Sequence, residues 1–492
     1  MGVEEDLEKS KNEYGISEYP NVKEIYEKLG ALVNQPLRPI RRDEMEKVLS
    51  YYDFRCQRSK ALAEKARQFI PKGVQHNLSY NYPFPLAFEK AGHGYMWDVD
   101  GNQYIDFLQA GGAILLDENY PAVSEKVIEL IQSGGQMLGL FHESELKLTE
   151  LINKYMPSVE MLRLFASGTE AAMAAIRVAR AYTKKKKIVK MGAAYHGWSD
   201  QLVFSVSYPG WGAREAIGIP PGCYQDTQEF YPNDLDGLRE LLKENEKSGD
   251  GTAAVIVEPL GGESGTRPVY PDFNKRVREL CDEFGTLLIF DEVVTAFRIG
   301  MGGAQGYFGV KPDLTVFGKA ISGGFPMAGG VGGRRDIMDM FSRLTPGGVV
   351  VGGTLSANPL SCTAGYYALL EVARTHAPVV AGKAGDRLRK GLQEIIDHYN
   401  LPFVVYNMGS IVHFETSGAW FLDLLHNEKK FLDEVGPRTQ MMKEMGAAYQ
   451  SQGIVTLVGN RMYTSLADTN EIIDEALNRF EYILSKVEGV RK

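Results

Sequence analysis

The sequence predicts an α/β protein whose large domain has a mainly parallel central sheet and is followed by a smaller α+β domain. Two observations predict this fold. From about residue 120, helical segments alternate with short apolar runs that read LRLFAS, KIVKMGA, AAVIVEPL, TLLIFDEV and LTVFGKA. Continuous apolar runs between helices are typical of parallel strands buried on both faces. From about residue 365, the helices are accompanied by shorter strands.

The elements that precede the sheet are predicted as helices and one hairpin. Residues 1 to about 60 are polar and charged, and they favour helices. The amphipathic segment SKALAEKARQFIPKG predicts a helix that stops at Pro71 and Gly73. The segment LAFEKAGHGYMWDVDGNQYIDF alternates apolar and polar residues around Asp100-Gly101, which predicts a β-hairpin.

The composition is that of a globular protein and argues against several functional classes. The chain has 492 residues, 44% of them hydrophobic and 24% charged, and a net charge of −9. This charge disfavours a general nucleic-acid or acidic-membrane binder, and the basic run 184–187 is interpreted as a solvated helix end. Four cysteines without a CxxC pair indicate neither a zinc site nor a disulfide scaffold. An acidic N-terminus and the lack of an apolar run of about 20 residues favour a cytoplasmic protein.

The first candidate site follows the run LRLFAS. Ser167, Gly168 and Thr169 turn from this predicted strand into an Ala-rich helix. Free N–H groups and the helix dipole suit a phosphate at such a turn. The alternative is a plain helix cap, in which Ser167 or Thr169 caps the helix and Glu170 lies in its first turn. These residues alone leave both interpretations open.

The second candidate site is the pair Asp291-Glu292 at the end of TLLIFDEV. A carboxylate at the tip of a buried strand is costly unless it has a cationic partner. It can cap a helix, join an ion pair, keep a heterocyclic nitrogen protonated or coordinate magnesium. A P-loop is excluded, because Asp313 and Ala320 break the GxxxxGK[ST] pattern around Lys319. No GxGxxG follows a strand, so a dinucleotide site is not supported.

Three further residues complete a set of groups at the predicted strand ends. Tyr195 can stack on a flat heterocycle, although a core position is the other interpretation of this tyrosine. Thr354 lies in a Gly-rich loop, where it can contact a phosphate or simply form a turn. Lys319 directly follows LTVFG. A phosphate turn, an aromatic ring, a carboxylate and a lysine are together the groups that hold pyridoxal phosphate.

These residues lie in an ordered set of motifs that resembles one known family. The segments SGTEAAMAAIRVARAYT, AAYHGWSD, EPLGGESG, LLIFDEVVTAFR, AQGYFGVKPDLTVFGKAISGGFPMA and GGTLSANPLS resemble the class III, fold type I pyridoxal-phosphate aminotransferases. The resemblance covers roughly residues 60–485, and it is closest to the subgroup that contains glutamate-1-semialdehyde 2,1-aminomutase. It implies a fold type I enzyme with pyridoxal phosphate as cofactor and without a metal.

The resemblance also implies roles for individual residues. Lys319, Asp291 and Tyr195 are the implied catalytic residues: Lys319 forms the Schiff base and moves the proton, Asp291 holds the pyridine nitrogen protonated, and Tyr195 stacks on the ring. The implied cofactor-binding residues are Ser167, Gly168, Thr169, Tyr195, His196, Glu258, Asp291, Val293, Lys319 and Thr354. Thr354 corresponds to a threonine that reaches the phosphate of a neighbouring subunit, which implies a homodimer.

The substrate residues are expected in the N-terminal segment and the small domain. Aminomutases of the subgroup usually have an arginine shortly after GGV, whereas this chain reads PKGVQHNLSYNYPFPL. This segment is more similar to aminotransferases that act on β-amino acids or related 3-amino acyl groups. The candidate substrate residues are His76, Phe141, Glu263 and Arg461. A structural role is the alternative for His76 and Arg461, and a dimer contact is the alternative for Phe141.

We therefore expect an aminotransferase that moves an amino group between an amine, or a β-type amino acid or acyl substrate, and a keto acceptor. Free acids and coenzyme A thioesters both remain open. The alternative is glutamate-1-semialdehyde 2,1-aminomutase or a related intramolecular aminomutase or epimerase. The predicted domains are a helical N-terminal extension (1–60), a segment contributing to the small domain and the active-site mouth (61–115), a large cofactor-binding domain (116–365) and a C-terminal small domain (366–492).

Overall fold

The computed structural model describes residues 3–135, 137–342, 344 and 346–490. The strands of these residues are β1 (Phe88–Gly92), β2 (Tyr95–Asp98), β3 (Gln103–Asp106), β4 (Met161–Phe165), β5 (Lys187–Met191), β6 (Thr227–Phe230), β7 (Thr252–Val257), β8 (Arg267–Pro268), β9 (Leu287–Asp291), β10 (Leu314–Gly318), β11 (Gly329–Gly333), β12 (Val404–Met408), β13 (Ile411–Glu415), β14 (Ile454–Val455) and β15 (Arg461–Tyr463).

The α-helices of the same residues alternate with these strands. They are α1 (Val3–Lys9), α2 (Val22–Val33), α3 (Arg42–Arg55), α4 (Gln57–Ala66), α5 (Gln109–Gly112), α6 (Pro121–Ser133), α7 (Glu143–Tyr155), α8 (Gly168–Thr183), α9 (Pro221–Tyr224), α10 (Leu235–Ser248), α11 (Gly262–Gly265), α12 (Phe273–Glu283), α13 (Gly303–Phe308), α14 (Arg335–Met338), α15 (Pro359–Arg374), α16 (Ala377–His398), α17 (Glu428–Ser451) and α18 (Asn470–Leu484). No helix of the described residues is long and apolar enough to cross a membrane.

The central sheet has seven strands in the order β4-β11-β10-β9-β7-β5-β6. Strands β10, β9, β7, β5 and β6 pair in parallel, whereas β11 is antiparallel to both β10 and β4. Each of the five apolar runs forms one strand of this sheet, which confirms the predicted α/β fold. Helix α8 packs on one face and α10 and α12 on the other, so β7, β9 and β10 are buried along their whole length.

Strand β11 is missing from the sequence-based prediction because its sequence, GGVGG, has a low β-propensity. The glycines are explained by close approach of the chain. A Cβ atom on Gly329 would lie 2.1 Å from the carbonyl oxygen of Ser167, and one on Gly332 would lie 2.4 Å from Cγ1 of Val159. Side chains at these positions would therefore push β11 away from β4 and from the turn that begins α8.

Two smaller sheets are built from both ends of the chain. Strands β1, β2 and β3 form antiparallel pairs, and β3 also pairs in parallel with β14. The predicted turn at Asp100-Gly101 joins β2 to β3, and a second turn at His93-Gly94, which was not predicted, joins β1 to β2. Strands β12, β13 and β15 form the third sheet, as expected for a smaller α+β region. Residues of α2 and α3 share one hydrophobic cluster with this region.

The ends of several helices differ in detail from the prediction. Helix α4 ends at Ala66, before Pro71. Ile70, which directly precedes the proline, has an extended backbone (φ −123°, ψ 128°) and could not continue a helix. Helix α8 ends at Thr183, and the following Lys184 is left-handed. The basic run therefore bridges a helix end and the start of β5, and the ammonium of Lys187 lies 2.8 Å from the carboxylate of Asp226.

Candidate active site

Lys319 lies directly after β10, at the same edge of the sheet as the residues that follow the other parallel strands. Its backbone is in the left-handed region (φ 46°), which costs a residue with a side chain on the order of 1 kcal/mol or more. The partly buried ammonium has no hydrogen bond or ion pair within the described residues. Lys319 is therefore held in a strained position with its amino group free to react.

Asp291 ends β9 and forms the charged centre of the site. Its carboxylate is 5% exposed, and Oδ1 accepts a hydrogen bond from the N–H of Val293 at 3.0 Å. Oδ2 lies 2.7 Å from Nδ1 of His196. A carboxylate only accepts, so Nδ1 is the donor, and Nε2 of this imidazole has no partner within the described residues. Burial lowers the pKa of His196, and the contact with Asp291 opposes this change.

Glu258, after β7, organises two loops beside this centre. Its Oε1 accepts the N–H of Tyr195 at 3.0 Å and that of Glu263 at 2.7 Å, and its Oε2 accepts the hydroxyl of Ser264 at 3.2 Å. Burial, followed by the negative charge of Asp291, raises the pKa of Glu258 to about 7. Glu258 thus fixes the position of Tyr195, whose ring stays 43% exposed.

The turn at the start of α8 contains a helix cap and also leaves two N–H groups unpaired. Oγ of Ser167 accepts the N–H of Glu170 at 3.2 Å, which is a helix cap. The N–H groups of Gly168 and Thr169 have no partner within the described residues, so they remain available to an anion. Gly197 has φ +86°, and a Cβ atom there would lie 2.6 Å from Oγ1 of Thr169.

Val293 joins the turn at α8 to the end of β10. A Cβ atom on Gly168 would lie 3.1 Å from Cγ2 of Val293, and one on Gly318 would lie 2.9 Å from its Cγ1. The two glycines therefore let this side chain reach between the phosphate turn and Lys319. Sequence reasoning missed Gly197 and Gly318 as parts of the site, although the motifs YHGW and VFGK contain them.

The two adjacent carboxylates at the end of β9 have different hydrogen-bond partners. Glu292 is fully buried, and its oxygens accept the N–H groups of Ala304 at 2.6 Å and Gln305 at 3.0 Å and the hydroxyl of Thr295 at 2.9 Å. It therefore stabilises the start of α13. Burial raises the pKa of Glu292, and these hydrogen bonds oppose the change. The described residues contain no group of three or more His, Cys, Asp or Glu side chains that could hold a metal ion.

Arg461, on β15, and Glu263, on α11, form an ion pair. An Nη of the arginine lies 2.7 Å from Oε2 of the glutamate. The arginine side chain is 8% exposed and the glutamate side chain 39% exposed, while Nε of Arg461 has no partner within the described residues. The structure thus brings two of the four predicted substrate residues together through a contact that spans 198 positions of the chain.

The remaining predicted residues lie outside this cluster. His76 is exposed, and its Nδ1 accepts the N–H of Leu78 at 3.1 Å, which closes its own turn. Phe141 is 79% exposed, and Thr354 lies in an exposed loop. No hydrogen bond of the described residues joins any of these three side chains to the cluster.

Comparisons with known proteins agree with this arrangement. The family model named Aminotransferase class-III matches residues 78–484. The chain belongs to the class III aminotransferases. Glutamate-1-semialdehyde 2,1-aminomutase 2 from Lachnoclostridium phytofermentans is 39% identical over 361 residues, which are 72% of this chain and 83% of that protein.

Two solved structures have a similar fold. An omega-transaminase from Sphaerobacter thermophilus has a TM-score of 0.77 and 29% identity, and the match covers 88% of this chain and 99% of that one. A beta-phenylalanine aminotransferase from Variovorax paradoxus has a TM-score of 0.76 and 25% identity, covering 94% of this chain and 97% of that one.

The protein is accordingly a class III aminotransferase, with pyridoxal phosphate as its cofactor. The residues present fit this cofactor. The unpaired N–H groups of Gly168 and Thr169, with the space that Gly197 leaves beside them, suit a phosphate. The unpaired ammonium of Lys319 and the buried carboxylate of Asp291 suit the aldehyde and the ring nitrogen.

Proposed function

We propose that this class III aminotransferase takes an amino group from an amine or a β-type amino acid and passes it to a keto acid. The observation that carries the proposal is Arg461, a buried guanidinium whose ion-pair partner, Glu263, is more exposed. A second carboxylate can compete for this guanidinium, because bidentate binding of carboxylates is the geometry that arginine favours. The similarity to a beta-phenylalanine aminotransferase supports the β-type donor.

Each residue of the site would have a separate role in this reaction. Pyridoxal phosphate supplies an electron sink for the electron pair left when a proton leaves the amino-bearing carbon. Asp291, fixed by His196 and the N–H of Val293, would supply the negative charge that keeps the ring nitrogen protonated. Nζ of Lys319 would move a proton from the amino-bearing carbon of the substrate to the cofactor carbon that receives the nitrogen. The ring of Tyr195 would stack on one face of the cofactor.

An aminomutase is the second candidate, since the relative from Lachnoclostridium phytofermentans carries that name. The two reactions differ in what leaves the site. An aminotransferase releases a keto product after the first half of the reaction, whereas an aminomutase returns the nitrogen to a neighbouring carbon of the same molecule. We expect the holoenzyme, incubated with β-phenylalanine and no acceptor, to release a keto product and to stop with the cofactor in its amine form. An isomerised amine without free keto product would favour the aminomutase.

Substitution of the arginine tests the proposed acceptor site. In Arg461→Gln, we expect KM for a keto acid to rise about 10- to 100-fold, since one charge-assisted hydrogen bond is worth roughly 1.5–3 kcal/mol. The rate with an amine donor that lacks a carboxylate should change little. Steady-state kinetics with each substrate varied separately measure this difference. Glu263→Gln is the matched variant, and it should lower KM for the keto acid because a competitor is removed. Equal loss with both substrates in Arg461→Gln would contradict the proposal.

We further propose a homodimer in which Thr354 serves the neighbouring active site. Leu140 and Phe141 are 68% and 79% exposed, and they precede His142, whose Nε2 donates to the carbonyl of Ala357 at 2.8 Å. The loop of Thr354 therefore lies beside an exposed apolar segment, which is typical of a surface that another subunit covers.

Mixed dimers test the role of Thr354. We expect Thr354→Ala to raise the dissociation constant of the cofactor about 10-fold, because one phosphate contact is lost. Light scattering should give twice the mass of one chain. Inactive Lys319→Ala subunits, exchanged with Thr354→Ala subunits, should restore one tight site in each mixed dimer. No gain on mixing would show that Thr354 does not act across subunits.

A further inference from the structure

Lys190 is a buried cation that the proposed reaction does not use. It lies on β5, its side chain is 0% exposed, and its ammonium has no ion pair within the described residues. Nζ donates to the carbonyl oxygens of Phe204 at 2.6 Å, Ala194 at 2.8 Å and Leu202 at 3.5 Å. An ammonium has three N–H donors. Here all three are directed at backbone carbonyls of residues 194–204.

The three acceptors lie at the two ends of a loop that carries part of the cofactor site. We call residues 194–204 the clamped loop. Ala194 opens it directly before Tyr195, while Leu202 and Phe204 close it. The residues on either side, Ala193 and Ser205, have φ values of +61° and +48°, and such conformations persist only where the surroundings hold them. Lys190 therefore joins the two ends of the clamped loop through the hydrogen bonds of its ammonium.

The negative charges near Lys190 belong to carboxylates that do not form an ion pair with it. Glu229 is in register with Lys190 on β6, and its Oε2 accepts the N–H of Gly210 at 3.2 Å. Burial lowers the pKa of Lys190 to about 8, and the charges of Glu229, Glu215 and Glu258 oppose this shift. An ammonium without a direct counter-ion is expensive to bury, so its three carbonyl contacts indicate a specific task.

We infer that Lys190 is a positioning residue for the cofactor ring. By holding both ends of the clamped loop, it keeps Nδ1 of His196 at 2.7 Å from Asp291 and the N–H of Tyr195 at 3.0 Å from Glu258. The inference rests on the cofactor roles proposed for Tyr195 and His196. Lys190 would act through these residues, since its ammonium donates to backbone carbonyls.

The test removes the three donors while keeping the length of the side chain. In Lys190→Met, we expect the cofactor to attach to Lys319 as before, as shown by borohydride trapping. Its dissociation constant should rise about 10- to 100-fold because charge-assisted hydrogen bonds are lost. The circular dichroism of its visible band should weaken, and the pH midpoint of its absorbance should move, since His196 and Tyr195 are less well fixed. Lys190→Gln retains two N–H donors and should show a smaller change of the same kind.

Lys187→Met is the matched control. Lys187 lies on the same strand, and its ammonium pairs with Asp226 at 2.8 Å and Asp250 at 3.5 Å. Within the described residues it has no hydrogen bond to the clamped loop. The control should leave the dissociation constant, the dichroism and the pH midpoint unchanged.

Two outcomes would overturn the inference. The first is a lower melting temperature of Lys190→Met with all three cofactor measurements unchanged, which would assign Lys190 to the fold alone. The second is failure of both Lys190 variants to fold, which would assign it to the fold as well. Neither outcome depends on the substrate, because all three measurements use cofactor without an amine. A failure of the proposed donor and acceptor would instead appear in the product analysis of the unchanged protein.

Discussion

Lys319→Ala is expected to abolish transamination, with a loss of about 10⁴-fold or more. Lys319 would both bind the cofactor covalently and move the proton, and these two contributions are lost together. Its strained backbone and unpaired ammonium are consistent with a residue kept for this chemistry. The measurement is the rate of amine-dependent conversion of the cofactor, together with peptide mass spectrometry after borohydride reduction.

Lys311→Ala is the matched control for this experiment. Lys311 is 62% exposed and lies 3.7 Å from the carboxylate of Glu160, outside the site. We expect this variant to retain the activity and the covalently bound cofactor. Cofactor trapped covalently in the Lys319→Ala protein, at the level of the unchanged protein, would contradict the role assigned to Lys319.

Asp291→Asn should slow the first half of the reaction by about 10³-fold. Asparagine has nearly the same shape and can still accept the N–H of Val293, but it lacks the charge that keeps the ring nitrogen protonated. It also replaces the charge-assisted contact with His196 by a weaker one. Rapid-mixing absorbance spectroscopy with an amine and no acceptor measures this step directly.

The variant Glu292→Gln separates the effect of losing the negative charge of Asp291 from the effect of disturbing the end of β9. Glu292 is the adjacent buried carboxylate, and its partners belong to the start of α13. We expect a loss of about 1–3 kcal/mol in the free energy of unfolding with little change in the cofactor absorbance. The role of Asp291 would be disproved if Asp291→Asn retained more than about a tenth of the rate, or if Glu292→Gln reproduced its spectral change.

The apolar runs and the residues that follow them were sufficient to predict the edge of the sheet where the site lies. Parallel strands have all their carboxyl ends at one edge, so Ser167, Asp291 and Lys319 had to meet there once β4, β9 and β10 were predicted. The polar or glycine-rich strands β6 and β11 were not predicted, because their composition does not favour strands and their positions depend on neighbouring strands.

The sequence by itself determined the α/β class, the family and the residue types available for the chemistry. Only the tertiary structure decided which of the adjacent Asp291 and Glu292 carboxylates faces the site, since the two have different partners. It also decided that Lys190, in an apolar run, holds a loop rather than facing solvent. The contacts from His196 to Asp291 and from Arg461 to Glu263 span 95 and 198 positions. Local periodicity carries no information about such pairs, because packing across the whole fold brings them together.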